Sequence, residues 1–482
     1  MRAARRAART LRRLRATLAE PGDDSTAHGR AHLRHRRAAL AIAGGVAARA
    51  SSVAGLFVSI RLVSAATDRD HLGLWLLLVS AVNLVGFSDL GIGNGLLTVV
   101  ARALGTGDRT TAREAVSSAV AVLTVVAAVL GAGFATVYRV VPWDRLLNAG
   151  SAGRAAGPSV AVLVGSVLVS LPLGVAQRVH MSMQRGWVAA AWITAGNVAS
   201  LVAVWVASAT RASVPVLLAA ALSGQVAAGA ASTAVLVLRR GALRPRLGAA
   251  RARMGLLLLR HGTMFFLLAS AVAVGYESDS LVISNRLGAD AVSLYAVPFR
   301  MFMVAPLLVG LVAGPLWPAY GEAAARGDLA WIRRTFRRSL AVALVATGIP
   351  SLLLLPIAAP ISNRWFGAGR PPMLLLLGLG AWAVVNGVSA AVGVFFNGVG
   401  VLRFQVVAAS VMAVTNLAGS IALVGRIGVA GPVIASVVSQ VACVLVPSAV
   451  LMRRALRPGA PDSAFAAWLG RWARPTTVSR AA

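Results

Sequence analysis

The chain has 482 residues, 58% of them hydrophobic, and its mean hydropathy of +0.77 excludes an ordinary soluble domain. All 47 basic residues are arginine, and against 15 acids they give a net charge of +32. Because there is no lysine, there is no Walker A motif, and ATP hydrolysis through a P-loop is excluded.

The opening MRAARRAARTLRRLRATLAE sets Leu11, Leu14 and Leu18 at helical spacing among arginines. That pattern fits a basic helix lying on anionic phospholipid, and equally an arginine-rich tail without fixed structure. His28, His32 and His35 follow, but no metal-spaced Cys/His cluster occurs, so neither a metal nor a cofactor is expected. Cys443 is the single cysteine and reads as a small packing residue.

Twelve mostly apolar windows come next, near 38–62, 72–95, 114–138, 158–177, 187–209, 214–238, 262–285, 291–317, 339–359, 372–396, 404–425 and 430–452. Each is long enough to cross a hydrocarbon core of about 30 Å. The first is too long for a secretory signal and lacks a small-residue cleavage site. With the N-terminus cytoplasmic, about 35 arginines fall in cytoplasmic segments and about 9 in outer loops, the asymmetry of a chain with both ends inside. That distribution points to an anionic leaflet and away from nucleic acid.

An ungapped shift of 220 residues aligns the chain with itself. SAATDRDHLGLW (64–75) falls on SNRLGADAVSLY (284–295), pairing Asp70 with Asp290 and Trp75 with Tyr295. GTGDRTTAR (105–113) falls on ARGDLAWIR (325–333), pairing Gly107–Asp108 with Gly327–Asp328, and Asn197 and Asn416 correspond at nearly the same offset. The expected fold is all-α, about 12 transmembrane helices in two six-helix lobes related by a parallel repeat. The expected segments are a basic tail (1–37), an N-lobe (38–238), a basic linker (239–261), a C-lobe (262–452) and a C-terminal tail (453–482).

Enzyme chemistry is poorly represented. HExxH and GxSxG are absent, and the outer loops are short. Asp68 and Asp70 form a DxD that suggests a membrane glycosyltransferase. Yet Asp70 and its mate Asp290 each precede an apolar helical run, which suits a helix N-cap, so no catalytic residue is assigned.

Six ionisable residues fall inside the windows: Arg49, Arg61, Asp89, Glu277, Asp279 and Arg300. Each costs roughly 2.5–3.5 kcal/mol at a span centre, so such groups face protein or water and mark function. Arg49, about 16 Å into the first window at ~1.5 Å per residue, and Arg300 in the eighth both reach mid-depth. An arginine from each half suits an anion, since guanidinium binds phosphate oxygens bidentately. The alternative is that they pair with Glu277 and its neighbours to hold the lobes together. Glu277 and Asp279 lie about 200° apart on a helix, so one is expected to face the inter-lobe cavity and the other a neighbouring helix. A carboxylate in that position can carry a proton or hold Na⁺. Asp89, in the second window, joins them as a candidate for ion coupling. Pro298, Pro306, Pro315 and Pro318, and Gly91, Gly93 and Gly95, mark places where spans bend or approach closely.

These residues carry a resemblance. FSDLGIGNGLLTVVARALGTGD (87–108), ESDSLVISNRLGADAVSLYAVPFR (277–300), FFNGVGVLRFQ (395–405) and GVAGPVIASVVSQ (428–440) together resemble the polysaccharide flippases of the multidrug/oligosaccharidyl-lipid/polysaccharide exporter superfamily. The resemblance implies a two-lobed bundle and transfer of an undecaprenyl-diphosphate-linked oligosaccharide to the outer leaflet by alternating access. It implies a lipid-linked glycan as cargo, H⁺ or Na⁺ as coupling ion, and glycan polymerases or glycosyltransferases as partners. Asp279 and Arg300 match the family's local frame, and Arg49 matches by span and depth. Arg49, Arg300 and Arg61 would engage the diphosphate, and Glu277, Asp279 or Asp89 the ion. A multidrug antiporter of the same superfamily is the second reading.

Overall fold

Inside hydrocarbon a backbone must satisfy its N–H and C=O groups within one segment, and the apolar windows accordingly fold as helices. The structure is a computed structural model and describes residues 27–84, 89–147, 150–238, 243–364, 370–453, 467–468 and 471; the extreme N-terminal repeat of arginines lies outside them. In chain order the helices are α1 (Ala27–Ala66), α2 (Arg69–Leu84), α3 (Ile92–Gly105), α4 (Arg109–Tyr138), the short α5 (Trp143–Leu146), α6 (Gly153–Ser182), α7 (Gly186–Ala209) and α8 (Val214–Leu238). They continue as α9 (Ala252–Leu287), α10 (Ala289–Ala313), α11 (Leu316–Ala325), α12 (Leu329–Arg364), α13 (Met373–Val399), α14 (Leu402–Ile427), α15 (Ala430–Gln440) and α16 (Val446–Arg453), the last two joined by a π-helical turn at Val441–Leu445. No strand occurs among the described residues.

Eleven helical runs among the described residues are long and apolar enough to cross a membrane, and the protein is a multi-pass membrane protein. Large apolar side chains such as Phe57, Val129, Leu352 and Leu353 stay exposed on them, as lipid-facing residues do. The second of the twelve expected spans differs. The window 72–95 is two shorter apolar helices, α2 and α3, and the chain turns between them with Leu90 at φ 49° and Gly91 at φ 72°. Hydropathy averaged over a window does not register a turn made inside it.

The glycine at 91 is required twice. Its backbone sits in the left-handed region, and a Cβ there would collide with the carbonyl of Gly262 on α9. Asp89 holds the turn: its carboxylate accepts from the N–H groups of Gly91 (2.8 Å) and Gly93 (3.3 Å), capping the start of α3.

The contacts divide the chain into two compact units, residues 1–88 with 116–249, and 89–115 with 250–482. In the first, α1, α6, α7 and α8 pack together with α2, around a core that includes Val63, Leu74, Trp75, Leu163, Val204 and Leu217. In the second, α9, α10, α12, α13 and α15 pack around Tyr295, Phe302, Leu379, Trp382 and Val433. Helix α3 groups with this second unit for visible reasons. Trp317 Nε1 donates to Thr98 Oγ1 (3.3 Å), Arg102 Nη2 to the Val399 carbonyl (3.5 Å) and Arg326 Nε to the Gly105 carbonyl (3.2 Å). Arg102 and Arg326 thus sit at helix C-termini, where exposed carbonyls attract cations.

The repeat read from sequence is present as repeated local structure. After α3, Gly107 takes φ 77° and Asp108 N–H donates to the Ala103 carbonyl (2.8 Å); after α11, Gly327 takes φ 71° and Asp328 N–H donates to the Ala323 carbonyl (2.9 Å). Each aspartate then caps the next helix, accepting from Thr111 N–H (3.0 Å) or Trp331 N–H (3.3 Å). Gly-Asp therefore ends one helix in the left-handed conformation and starts the next within two residues.

The cap assignment at Asp70 needs correction. Asp68 is the residue that caps α2, accepting from His71 N–H (3.0 Å). Asp70 lies within the first turn and accepts instead from the N–H (2.9 Å) and hydroxyl (2.8 Å) of Ser151. These bonds hold both carboxyls below the ordinary carboxylate range: His71 N–H is the main cause at Asp68 and Ser151 N–H at Asp70. Asp290 is in α10, and its side chain lies outside the described residues.

Candidate functional site: a buried carboxylate in the second unit

Asp279 is 1% exposed, in the C-terminal third of the 36-residue helix α9. Four neutral donors from three other helices surround it. Ser420 of α14 donates to Oδ1 (2.9 Å) and Ser436 of α15 to Oδ2 (2.9 Å). Asn416 Nδ2 of α14 and Tyr295 Oη of α10 stand farther off, at 3.4 Å each. Asn416 Nδ2 also donates to the Gly275 carbonyl, one turn before Asp279 on α9. Ser436 lies 3.1 Å from Asn416 Oδ1 as well. Its single hydroxyl hydrogen serves either Asp279 or Asn416, not both at full strength.

That geometry accepts two protonation states. With Asp279 ionised, Ser436 and Ser420 donate to it. With Asp279 protonated, its own O–H can donate to Ser436 Oγ, which then donates to Asn416 Oδ1. In the protonated state both the carboxyl and Asn416 Oδ1 have partners; in the ionised state Ser436 turns to Asp279 and Asn416 Oδ1 gives up that donor.

The first unit holds a related cluster without a carboxylate. Asn197 Nδ2 on α7 donates to Ser51 Oγ (2.8 Å), Ser52 Oγ (2.8 Å) and the Ala48 carbonyl (3.3 Å) of α1. Its Oδ1 accepts from Gln225 Nε2 of α8 (2.6 Å). The correspondence is residue by residue. Asn197 matches Asn416, the Ala48 carbonyl matches that of Gly275, and four positions on, Ser52 stands where Asp279 does.

The other expected site residues are distributed as follows. Arg49 and Arg61 are exposed on α1 in the first unit, and Arg300 is exposed on α10 in the second. Asp89 caps α3, and Glu277 is in α9 with its side chain outside the described residues. Within the second unit, Asp279 is met by neutral donors and not by Arg300. Sequence reasoning follows charges, misses Ser420 and Ser436, and finds Tyr295 only as the repeat mate of Trp75. Asn416 was noticed only as a repeat mate. The available signal was a neutral polar residue inside an apolar span, which also needs a partner.

No family model matches the sequence, and no curated relative does. Solved structures do match in shape. An outward-facing multidrug resistance MATE family transporter of the MOP superfamily superposes with a TM-score of 0.71 over 91% of this chain and 96% of that one, at 15% identity. The fold is that of the MATE transporters. A MATE in a bent conformation gives a TM-score of 0.73 at 13% identity, covering 91% of this chain and 97% of that chain. A MOP superfamily transporter from Pyrococcus furiosus, described as having a binding pocket of reverse polarity, also gives 0.73, at 13% identity over 87% of this chain and 95% of its own. Two repeated lobes are a property of the MATE fold, and the duplicated Gly-Asp turns and asparagine clusters are this chain's form of it.

Proposed function

We propose that the chain is an alternating-access transporter that moves a polyprenyl-diphosphate-linked oligosaccharide from the inner to the outer leaflet of the cytoplasmic membrane. Both termini are cytoplasmic, the basic tails rest on anionic phospholipid, and the cycle is coupled to H⁺ or Na⁺ at Asp279. One observation carries the cargo assignment: Arg49 and Arg300, one from each half of the repeat, are exposed within membrane-spanning helices. Arginine at that depth normally faces a water-filled path or an anion, and a diphosphate offers paired oxygens to a guanidinium fork. Arg61 would act toward the outer end of the same route. The buried cluster around Asp279 supports the coupling ion, because the Ser436 hydroxyl can turn between Asp279 and Asn416 as the carboxyl gains or loses a proton.

A second reading is a cation-coupled drug antiporter. It is favoured by the shape match to multidrug resistance MATE transporters and by a carboxylate inside the second unit. Mass spectrometry of lipid-linked oligosaccharides from cells lacking the gene, rescued with wild type or Arg300→Ala, separates the two. Accumulation cleared by wild type and not by Arg300→Ala supports the flippase. No accumulation, with raised sensitivity to cationic drugs, replaces it with the antiporter.

A further inference from the structure

A cavity of about 370 Å³ lies inside the second unit, walled by α9, α13, α14 and the helix run from α15 to α16. Its volume is within the range of small-molecule pockets, roughly 300–1,000 Å³. None of the residues lining it is ionisable. The polar groups are Asn386, Ser389, Asn397, Gln405, Gln440 and Ser448, set among apolar side chains. Two of them are short of partners: the buried hydroxyls of Ser389 and Ser448 have none among the described protein groups. Buried hydroxyls in proteins are mostly hydrogen-bonded, in helices often back to the preceding turn, although seven other serines of this chain share the same lack among the described groups. Gln405 uses its amide hydrogens on Asn397 Oδ1 (2.9 Å) and the Val401 carbonyl (3.1 Å), so toward the cavity its amide is an acceptor. Phe396 and Phe404 add an aromatic wall, ring centroids 5.6 Å apart and steeply inclined.

The wall has a further peculiarity. Gln440, Val444 and Ser448 straddle the π-helical turn Val441–Leu445, and such turns recur at functional sites. Three of the wall helices, α9, α14 and α15, also carry the carboxylate cluster. Val272 on α9 precedes Gly275, Met412 on α14 precedes Asn416, and Ser436 precedes Gln440.

We propose that this cavity is a binding site for an uncharged, largely apolar aromatic molecule bearing a carbonyl oxygen, with Ser389 and Ser448 as donors to that oxygen. It is separate from any route for a lipid-linked diphosphate, which would need cationic walls. A charged ligand is disfavoured because nothing in the wall compensates its desolvation.

The test is photolabelling of the purified full chain in lipid nanodiscs with benzophenone, against (4-benzoylbenzyl)trimethylammonium as its cationic counterpart, with peptide mapping of the adducts. The expected result is adducts concentrated in 386–412 and 440–448, favouring the neutral probe by about tenfold, the ratio of ~1.4 kcal/mol. Ala409→Phe, which fills the cavity, should remove them. If that variant fails to fold, the Ser389→Ala, Ser448→Ala double variant keeps the shape and should lower cavity labelling several-fold. Adducts spread over lipid-facing helices and unchanged by the folded variant, or equal cavity labelling by the cationic probe, would overturn the proposal.

Discussion

The two asparagine clusters are one architectural device with different contents. In the first unit Asn197 ties α1, α7 and α8 together through two serines and a glutamine, all neutral. In the second, Asn416 ties α9, α14 and α15 together, and Asp279 occupies the place of Ser52. The lesson is that the asparagine serves packing in both, since spans gain little from hydrophobic attraction to one another in lipid and use hydrogen bonds instead. The carboxylate is what the second unit adds, and packing alone does not call for it.

The largest effect is expected from Asp279→Asn. The side chain keeps its shape and can still accept from Ser420 or Ser436, so stability should stay within about 1 kcal/mol. Ion-driven transport should fall to background. Clearance of the lipid-linked oligosaccharide, alongside thermal melting in detergent, measures both; wild-type clearance would reduce Asp279 to a packing residue. Next, Asn416→Ala and Asn197→Ala should each destabilise by about 1–3 kcal/mol, because each strands buried partners. Transport per folded molecule should drop only for Asn416→Ala. An equal drop for both would erase the functional difference between the clusters.

Asp89→Ala provides a contrast within the second unit, a carboxylate engaged with backbone N–H groups at a helix start. Loss of the cap should lower stability by about 0.5–2 kcal/mol with the coupling ratio of ion to cargo unchanged. A changed ratio, measured in proteoliposomes, would place Asp89 on the ion path. The smallest effect belongs to Asp70 in the first unit. Its carboxyl is held below the ordinary 3.8 by Ser151, so its contribution is present above that pH and is lost as pH falls through the lower folded value. The protection of the Ser151 amide, its exchange rate relative to the intrinsic rate at each pH, should therefore be unchanged between pH 5 and 8 and should fall only below about 3.8; protection lost near neutrality would show that the contact does not hold the loop.

Much of this fold was legible in the sequence, for a physical reason. Lipid imposes continuous apolar runs, and a chain that repeats its turns betrays them through Gly-Asp at 107–108 and 327–328. What was not legible depended on the third dimension. The break at Leu90–Gly91 is hidden inside a continuous apolar window, and the membership of α3 in the second unit rests on contacts such as Thr98 with Trp317. For the site, a charge in a span announces itself, so Asp279 stood out. Its donors did not, since serines and tyrosines are ordinary in such helices and only folding gathers them.

The π-helical turn at Val441–Leu445 also acts as a phase shift. An α-helix advances about 100° per residue, and one extra residue in a turn rotates everything beyond it by that amount relative to what comes before. Ser436 faces Asp279 on one side of this turn, and Ser448 reaches the cavity on the other. Deleting Val441 would restore a regular helix, keep Ser436 in place and swing Ser448 off the cavity wall. A one-residue change of length, with no change of side-chain chemistry at either place, is thus expected to silence benzophenone labelling at 440–448 while leaving the carboxylate cluster assembled. Labelling that survives the deletion would show the two ends of this helix are not geared together.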